Sequence, residues 1–414
     1  LYQRLGNDKR AIAIYHEVSD APFGLSPREI AHVLANLGIL YRHLGDAQEA
    51  LKNYHDAERW YGQEKDTDGE LGVLKNIGIV MALDLKRPQD ALKIFDQALA
   101  LAEATKNQRE AMQARLYRGE TLNLMGRQRE AEQEFNRALG LAVKLGAGEE
   151  QWKALYALGR IAQSRGRIDL AEQKFREAVA TIEGLRLKLQ LTRLKSDFLA
   201  DKRDVYDALI KLLLRRDDTA AAFEYIERSR ARVFQDRFFS GQRAIRLLTL
   251  PAIQARLPKN TALIEFWKGP DSVAAVWITS EGSGLARKDF SPQAMNQFAQ
   301  AVSGLPENLG QNWREGFRKI AEMWPAGIAP FAQPQYTHLL IVPDGFLSLV
   351  PFELAPGPSG EIVLAQHDVT YLPSAVLLLR GASRKSWGVG LPWQRQLIAF
   401  GDPAVVGNGE STLL

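Results

Sequence analysis

A pattern of small residues returns about every 40 residues along the first half of the chain, and this repeat limits the fold more than any other feature. Each full copy has a glycine, preceded by an apolar residue in all but the third, then a second glycine or its substitute, an alanine, and an aromatic residue four positions after the alanine. The full copies contain Leu37-Gly38, Gly45, Ala50 and Tyr54; Ile77-Gly78, Leu85, Ala91 and Phe95; Gly119, Gly126, Ala131 and Phe135; and Gly159, Gly166, Ala171 and Phe175. A shortened copy stands first, with Gly6, Ala11 and Tyr15. A unit of this length is typical of helical hairpins that stack into a solenoid.

The residue types in the repeat are those that let helices pack closely. The first glycine of each copy is predicted to lie mid-helix, where glycine costs about 1 kcal/mol relative to alanine. Its recurrence indicates that a partner helix approaches there, with the alanines facing the glycines and the aromatic residues filling the space between successive hairpins. Gly45, Gly126 and Gly166 are expected at turns. In the second full copy Leu85 replaces the turn glycine, and the following Lys86-Arg87-Pro88 predicts a looser turn.

The pattern resembles the tetratricopeptide repeat (TPR), and Tyr41 and Ala57 match further positions of that repeat. The period here is about 40 residues, whereas the usual repeat has about 34, so longer helices or links are expected. The resemblance implies a concave face that binds a protein or peptide partner. Eight positions are expected on that face: His32, Arg42, Lys75, Gln113, Asn123, Lys153, Arg160 and Gln163. The alternative is a solvated face without a ligand, or one covered by the rest of the chain.

Composition excludes several classes of function. The 414 residues contain no cysteine, which rules out disulfides, thiolate metal sites and a cysteine nucleophile within them. The net charge of +4 is too small to argue for nucleic acid, and no apolar run approaches the roughly 20 residues of a membrane span. The histidines at positions 16, 32, 43 and 55 lack the spacing of metal ligands on one helix face. We therefore expect no metal, no cofactor, no nucleic acid, no membrane span and a cytoplasmic location, with any targeting signal upstream of Leu1.

A helical connector is predicted where the repeat fades. Its apolar stripe comprises Leu187, Leu191, Leu194, Phe198, Val205, Leu209 and Leu212. Asp217-Asp218-Thr219 predicts a turn and cap before the next helix. Arginines then cluster at positions 228, 230, 232, 237, 243 and 246. We favour a helix docked by ion pairs onto the repeats or the following domain, because arginine forks suit such contacts; an anion or acidic-partner site is the alternative.

The period changes to two after Pro258, which predicts strands. The expected strands are residues 262–267, 273–278, 338–345, 369–372 and 397–400, with a helical stretch over 292–323. Apolar strands separated by helices predict an α/β layer fold whose sheet is buried on both faces.

Four segments in order resemble the CHAT domain, a caspase-like domain related to separases whose active members are cysteine peptidases. They are Leu340-Ile341-Val342-Pro343-Asp344-Gly345 with Leu347, Pro351-Phe352-Glu353-Leu354, Tyr371-Leu372-Pro373-Ser374 and Phe400-Gly401-Asp402-Pro403. The connector's Ala222-Phe223 and the run from Glu227 to Arg232 match what precedes CHAT domains after TPR arrays.

The resemblance places the catalytic His and Cys of the family after the Gly-Asp-Pro element. His338 and His367 match neither motif, so no catalytic residue is carried over. We expect Asp344 and Asp402 to cap turns rather than to form a carboxylate or metal pair.

The predicted organisation is therefore an α-solenoid of TPR-like hairpins over residues 1–180, a helical connector over 181–250, and the N-terminal part of a caspase-like α/β domain over 251–414. Two functions follow. The first is a solenoid that regulates a cysteine peptidase whose catalytic dyad lies outside this chain. The second is a non-catalytic scaffold or pseudopeptidase.

Overall fold

Paired helices make up the first half of the chain. The computed structural model describes residues 8–20, 24–188, 202–230, 249–304, 320–323, 325–355 and 361–379. The helices of this part are α1 (Asp8–Asp20), α2 (Pro27–His43), α3 (Ala47–Glu64), α4 (Thr67–Ile79), α5 (Pro88–Ala104), α6 (Gln108–Leu124), α7 (Gln128–Leu145), α8 (Gly148–Ser164) and α9 (Ile168–Leu187). From α2 onward they pack as consecutive hairpins, which confirms the predicted α-solenoid.

Local sequence signals set where these helices begin. Ser26 and Glu29 form a capping box at the start of α2, and Asp46 accepts a hydrogen bond of 3.0 Å from the backbone N–H of Glu49 at the start of α3. The looser turn predicted at Leu85 is a π-helical turn, Val80–Asp84, in which the Leu85 N–H bonds to the Val80 carbonyl. A π-helical turn takes up an additional residue, and it lies in the repeat where the spacing from Ala50 to Ala91 is 41 residues rather than 40.

The repeated glycines are where the two helices of each hairpin meet. A Cβ on Gly38 would lie 2.5 Å from the Tyr54 ring, and one on Gly159 would lie 2.5 Å from the Phe175 ring. Gly78 and Gly119 stand in the same relation to Phe95 and Phe135. The aromatic residue therefore covers the glycine of its own hairpin, whereas we expected it only between successive hairpins. The ring also reaches the next hairpin, as expected, because Phe135 shares a buried cluster with α8.

Gly159→Ala is expected to lower the free energy of unfolding by about 1 to 2 kcal/mol. The added methyl group would overlap a fully buried ring, and overpacking of this kind outweighs the gain of about 1 kcal/mol in helix propensity. Gly140→Ala in α7 is the matched control, since nothing lies within 4 Å of its Cβ position; it should stabilise the protein. Denaturant unfolding compares the two, and equal shifts would show that the glycines are not packing positions.

Two connector helices follow the repeats, α10 (Arg203–Arg215) and α11 (Thr219–Arg230). The predicted stripe residues Val205, Leu209 and Leu212 are buried in α10, and Asp218 caps α11 by accepting a hydrogen bond from the Ala221 N–H. Leu187 is an exception, because it is exposed at the end of α9. The stripe positions 191, 194 and 198 lie outside the described residues.

After the short helix α12 (Leu250–Gln254), five strands among the described residues form a mixed sheet. Its strands are β1 (Thr261–Lys268), β2 (Ser272–Thr279), β3 (Ser283–Asp289), β4 (His338–Val342) and β5 (Asp368–Tyr371), in the order β3-β2-β1-β4-β5. The strands β1, β4 and β5 are parallel, and β2 and β3 are antiparallel to their neighbours. Helix α13 (Pro292–Ser303) follows β3. The predicted strand at 397–400 lies outside the described residues.

Both faces of this sheet are covered, as predicted. Ile264 and Phe266 of β1 pack in one cluster with Phe298 of α13. On the other face, Leu263 and Trp267 belong to a cluster that also contains buried residues of α8 to α11. The last repeat, the connector and the sheet therefore share one core. None of the helices in the described ranges is both long and apolar enough to cross a bilayer.

Candidate functional site

The first helices of successive hairpins, α2, α4, α6 and α8, contact one another along one face of the repeats. In a stacked array the helices on the more closely spaced side line the inside of the curve. This is where the sequence predicted the partner-binding residues.

A polar ladder joins three of these helices. The Nζ of Lys75 on α4 lies 2.5 Å from the side-chain oxygen of Gln113 and 3.4 Å from the carboxylate of Glu110, both on α6. The side-chain amide of Gln113 in turn donates to Glu150 on α8 at 3.4 Å. These four residues are called the inner ladder below. The structure thus brings together two of the predicted positions, Lys75 and Gln113, and adds two carboxylates.

Two further predicted arginines pair across neighbouring repeats. Arg42 bonds to Asp84 at 2.6 Å, and Arg160 bonds to both oxygens of Glu120 at 2.9 and 3.0 Å. The guanidinium of Arg160 also lies 5.0 Å from the centre of the Tyr156 ring. The side chains of these pairs are 31 to 41% exposed, so solvent screens each pair and its contribution to stability is about 0 to 1 kcal/mol.

The other four predicted residues are not part of the inner ladder or of these arginine pairs. His32 is bonded to the Tyr61 hydroxyl at 2.9 Å, Asn123 is half-buried at the end of α6, and the exposed Lys153 lies 5.6 Å from the centre of the Trp152 ring. Gln163 lines a cleft of about 460 Å³ between α8 and α10. Arg160, Tyr156 and Pro270, in the turn between β1 and β2, line the same cleft.

The acidic partners on this face were missed by sequence reasoning. The signal was present, because Glu120 and Arg160 are 40 residues apart and Gln113 and Glu150 are 37 apart, close to one repeat. Complementary side chains one period apart meet on neighbouring first helices. Searching the repeat for such pairs would have found them.

A second polar group lies where the connector meets the sheet, at the carboxyl ends of the parallel strands β1 and β4. The guanidinium of Arg230 on α11 donates to the backbone carbonyls of Phe266 and Val342. It lies 3.6 Å from the carboxylate of Glu265 and 3.7 Å from that of Asp344. Arg203 of α10 completes the link to Asp344, at 2.7 Å.

Asp344 was expected to cap the turn before Gly345, and that prediction is wrong. The side chain makes no hydrogen bond to the following 3-10 turn; instead it accepts hydrogen bonds from Arg203 and from the backbone N–H of Lys268. Burial would raise the pKa of this carboxyl, but Arg230, Arg203 and the N–H of Lys268 outweigh that effect and lower the pKa of Asp344. Asp344 thus holds the connector to β1. Asp402 lies outside the described residues.

Two more carboxylates belong to this junction. Asp207 of α10 accepts hydrogen bonds from the Trp267 indole N–H at 2.9 Å and from Arg203 at 3.0 Å, and burial raises the pKa of Asp207 in spite of them. Glu227 of α11 accepts from the Ser374 hydroxyl at 2.6 Å and the Ala375 N–H at 2.9 Å. We call Arg203, Asp207, Glu227, Arg230, Glu265 and Asp344 the junction cluster.

The arginines of α11 do dock by ion pairs, as favoured from the sequence. Arg228 bonds to Glu183 of the last repeat at 2.6 Å, while Arg230 engages the sheet. One helix thus binds the repeats with one arginine and the α/β domain with the other. The arginines at 232, 237, 243 and 246 lie outside the described residues.

The two histidines of the α/β part are remote from the junction cluster. His338 is at the start of β4, 3.3 Å from Asp368. His367 is buried before β5 and its Nδ1 lies 2.6 Å from the Tyr336 carbonyl. Since β4 runs from His338 to Val342, these rings lie at the opposite strand ends from Asp344.

Comparison with known families agrees with both halves of this architecture. The tetratricopeptide repeat profile matches residues 29–104, and the CHAT domain profile matches residues 318–409. The chain therefore contains a TPR region followed by a CHAT domain. No curated protein sequence matches it.

Several solved structures are similar to the chain. They include BtubC (BKLC) from P. vanneervenii, with 15% identity over 58% of this chain and 92% of that one and a TM-score of 0.45. The apo form of RapI has 16% identity over 57% and 87% of the two chains, with a TM-score of 0.42. MamA has 19% identity over 44% and 93%, with a TM-score of 0.34.

Proposed function

We propose that this chain is the partner-binding, regulatory part of a CHAT-type, caspase-like cysteine peptidase, with the catalytic dyad outside the 414 residues. The observation that carries the proposal is the shared core of the last repeat, the connector and the sheet. A partner that shifts the repeats acts on β1 and β4 through this core, because packed elements transmit displacement rather than absorb it.

The partner is a peptide or helix lying along the inner ladder. Lys75, Arg42 and Arg160 are held by side chains of neighbouring repeats at partly exposed positions. A ligand can replace such pairs at little cost, since each is worth about 1 kcal/mol or less. The Tyr156 ring lies beside Arg160, and an arginine next to an aromatic ring is a common hot-spot pair in protein interfaces.

The route from this face to the sheet runs through the connector. Helix α8 carries Arg160, shares the cleft with α10, and packs in one core with it. From α10 and α11 the junction cluster reaches the ends of β1 and β4. Partner binding on the repeats is therefore expected to change the position of these strand ends, which precede the segment that carries the catalytic residues in the family.

A non-catalytic scaffold or pseudopeptidase is the second candidate. The observation favouring it is that the chain contains no cysteine, so binding is the activity that these residues can support by themselves. A cysteine-directed covalent probe applied to the complete parent protein distinguishes the two functions. Labelling that a partner enhances supports the peptidase, and absence of labelling supports the scaffold. The same lack of cysteine suits the reducing cytoplasm, where we place the protein.

Replacing two residues on the face formed by the first helices α2, α4, α6 and α8 should weaken peptide binding by the full chain. A display library of random 12-residue peptides is the probe, and the Lys75→Ala/Arg160→Ala variant is expected to bind the selected peptides at least ~10-fold more weakly. Lys52→Ala/Lys93→Ala is the matched control, because these lysines are exposed on the second helices α3 and α5. If both variants bind the peptides as the unchanged chain does, the inner face is not the binding site.

A further inference from the structure

Glu265 is a carboxylic acid in the middle of the central strand, with no exposed surface. Along β1 it alternates with Ile264 and Phe266, which face α13, and shares its side of the sheet with Leu263 and Trp267, which face the connector. Its cross-strand neighbours are Val276 and Val342. A carboxyl group in such surroundings is costly unless it is partnered or neutral.

The charged groups around Glu265 come from three directions. Glu227 and Arg230 from α11 and Asp344 after β4 act on it directly. Arg203 and Asp207 from α10 extend the group, because Arg203 bonds to both Asp207 and Asp344. The Ser374 hydroxyl after β5 also faces this cluster, through Glu227. From β2 the neighbours on this side are Ala274, Val276 and Ile278, which cannot titrate.

None of the donors among the described residues bonds to Glu265. Both of its side-chain oxygens lack a hydrogen-bond partner. Arg230 is close, at 3.6 Å, but it donates to the carbonyls of Phe266 and Val342. A second fully buried carboxyl group, that of Glu227, acts on Glu265 from α11, and both Glu227 oxygens already accept hydrogen bonds, from Ser374 and Ala375. Burial together with a neighbouring carboxyl group strongly disfavours the charged form of Glu265.

We propose that Glu265 carries a proton in the folded protein and donates it to Glu227, so that one shared proton fastens helix α11 to the central strand. Loss of the proton leaves two like charges in the core, and α11 then separates from β1. The segment Ala375–Leu379 is released with it, since Glu227 also holds the start of that segment. The shared proton needs no partner protein, so this inference goes beyond the proposed partner binding.

Burial, and then the charge of Glu227, raise the pKa of Glu265 well above its ordinary value. This raised pKa determines how the stability of the fold changes with pH. Below the ordinary pKa of a glutamic acid, about 4.3, both folded and unfolded chains hold the proton and the full stability is present. Above it the unfolded chain releases the proton while the folded chain keeps it. Stability therefore falls as the pH rises, until the folded pKa is reached.

The test compares Glu265→Gln, which mimics the protonated acid, with the unchanged chain by denaturant unfolding at pH 6, 7, 8 and 9. The ratio of the folding constant of Glu265→Gln to that of the unchanged chain should rise about tenfold for each pH unit below the folded pKa. Glu281→Gln is the matched control, because Glu281 is exposed in the turn between β2 and β3; its ratio should be flat. A flat or falling ratio for Glu265→Gln overturns the proposal.

A spectroscopic measurement keeps the proposal testable should Glu265→Gln fail to fold. The full chain at neutral pH should show the infrared carbonyl band of a protonated carboxylic acid. Asp207→Asn should retain the band, which shows that the band does not come from Asp207, the other buried acid of the described residues whose pKa is raised. Glu227→Gln should make the band disappear at a lower pH, because the neighbouring charge is gone. A band that is absent from the unchanged chain, or that vanishes with Asp207, overturns the shared proton.

Discussion

Phe175→Ala should lower the free energy of unfolding by about 4 kcal/mol, the usual cost of deleting a fully buried aromatic ring. Phe175 has no exposed surface, covers Gly159 of the same hairpin and lies in the core that the last repeat shares with the connector and sheet. Its loss opens a cavity at that junction. Denaturant unfolding followed by far-ultraviolet circular dichroism measures the change.

Phe135→Ala is the matched control for this effect. Phe135 is equally buried and covers Gly119 one repeat earlier, but its core cluster contains residues of α5 to α8 and none of the sheet. Both variants should lose similar amounts of helix stability. The Phe175 variant should also shift the unfolding of the sheet to lower denaturant concentration. Identical behaviour of the sheet in both variants would contradict the shared core.

Arg230→Ala should be nearly as damaging, with an expected loss of about 3 to 5 kcal/mol in the free energy of unfolding. The guanidinium donates to two backbone carbonyls at the ends of β1 and β4 and lies between two buried carboxyl groups. Removing it leaves these acceptors buried without a donor. Chemical denaturation at pH 7 measures the loss, and Arg230→Lys should recover only part of it, because a single ammonium group cannot reach both carbonyls.

An exposed arginine on the neighbouring helix provides the comparison. Arg215 lies at the end of α10 with its side chain in solvent, so Arg215→Ala should change the free energy of unfolding by less than about 0.5 kcal/mol. If Arg230→Ala were equally mild, the junction cluster would not hold the connector to the sheet.

Much of the solenoid could be predicted because its rule is local. Glycine, alanine and an aromatic residue recur at fixed offsets, and one hairpin suffices to bring Gly159 onto Phe175. That the aromatic ring covers the glycine of its own hairpin could not be predicted, since this contact depends on how the second helix is rotated about its axis. The strands β1 and β2 could also be predicted, because each is an apolar run in the sequence. The edge strand β3, Ser283–Asp289, was missed because its residues are mostly small or charged and only Ala286 is buried, so it has no apolar run.

The site was less predictable because its contacts are distant in the sequence. Arg203 and Asp344 are separated by 141 residues, and no local pattern links them. The arginine-rich helix indicated ion-pair docking but did not identify its partners. Glu265 within the run Leu263-Ile264-Glu265-Phe266-Trp267 was a visible signal, since a lone acid in a fully apolar strand must face a polar group or hold a proton.

Amide hydrogen exchange in β1 and β4 tests most directly the claim that the repeats act on the sheet through the connector. The Gly159→Ala variant carries its strain in the repeat that shares a core with the sheet, whereas Gly38→Ala places the same strain in a distant repeat. We predict that Gly159→Ala speeds exchange in these strands about tenfold and that Gly38→Ala leaves it unchanged, because coupling in a solenoid passes between neighbours. Exchange in β1 and β4 that is unaffected by Gly159→Ala, or equally affected by both variants, would contradict the account.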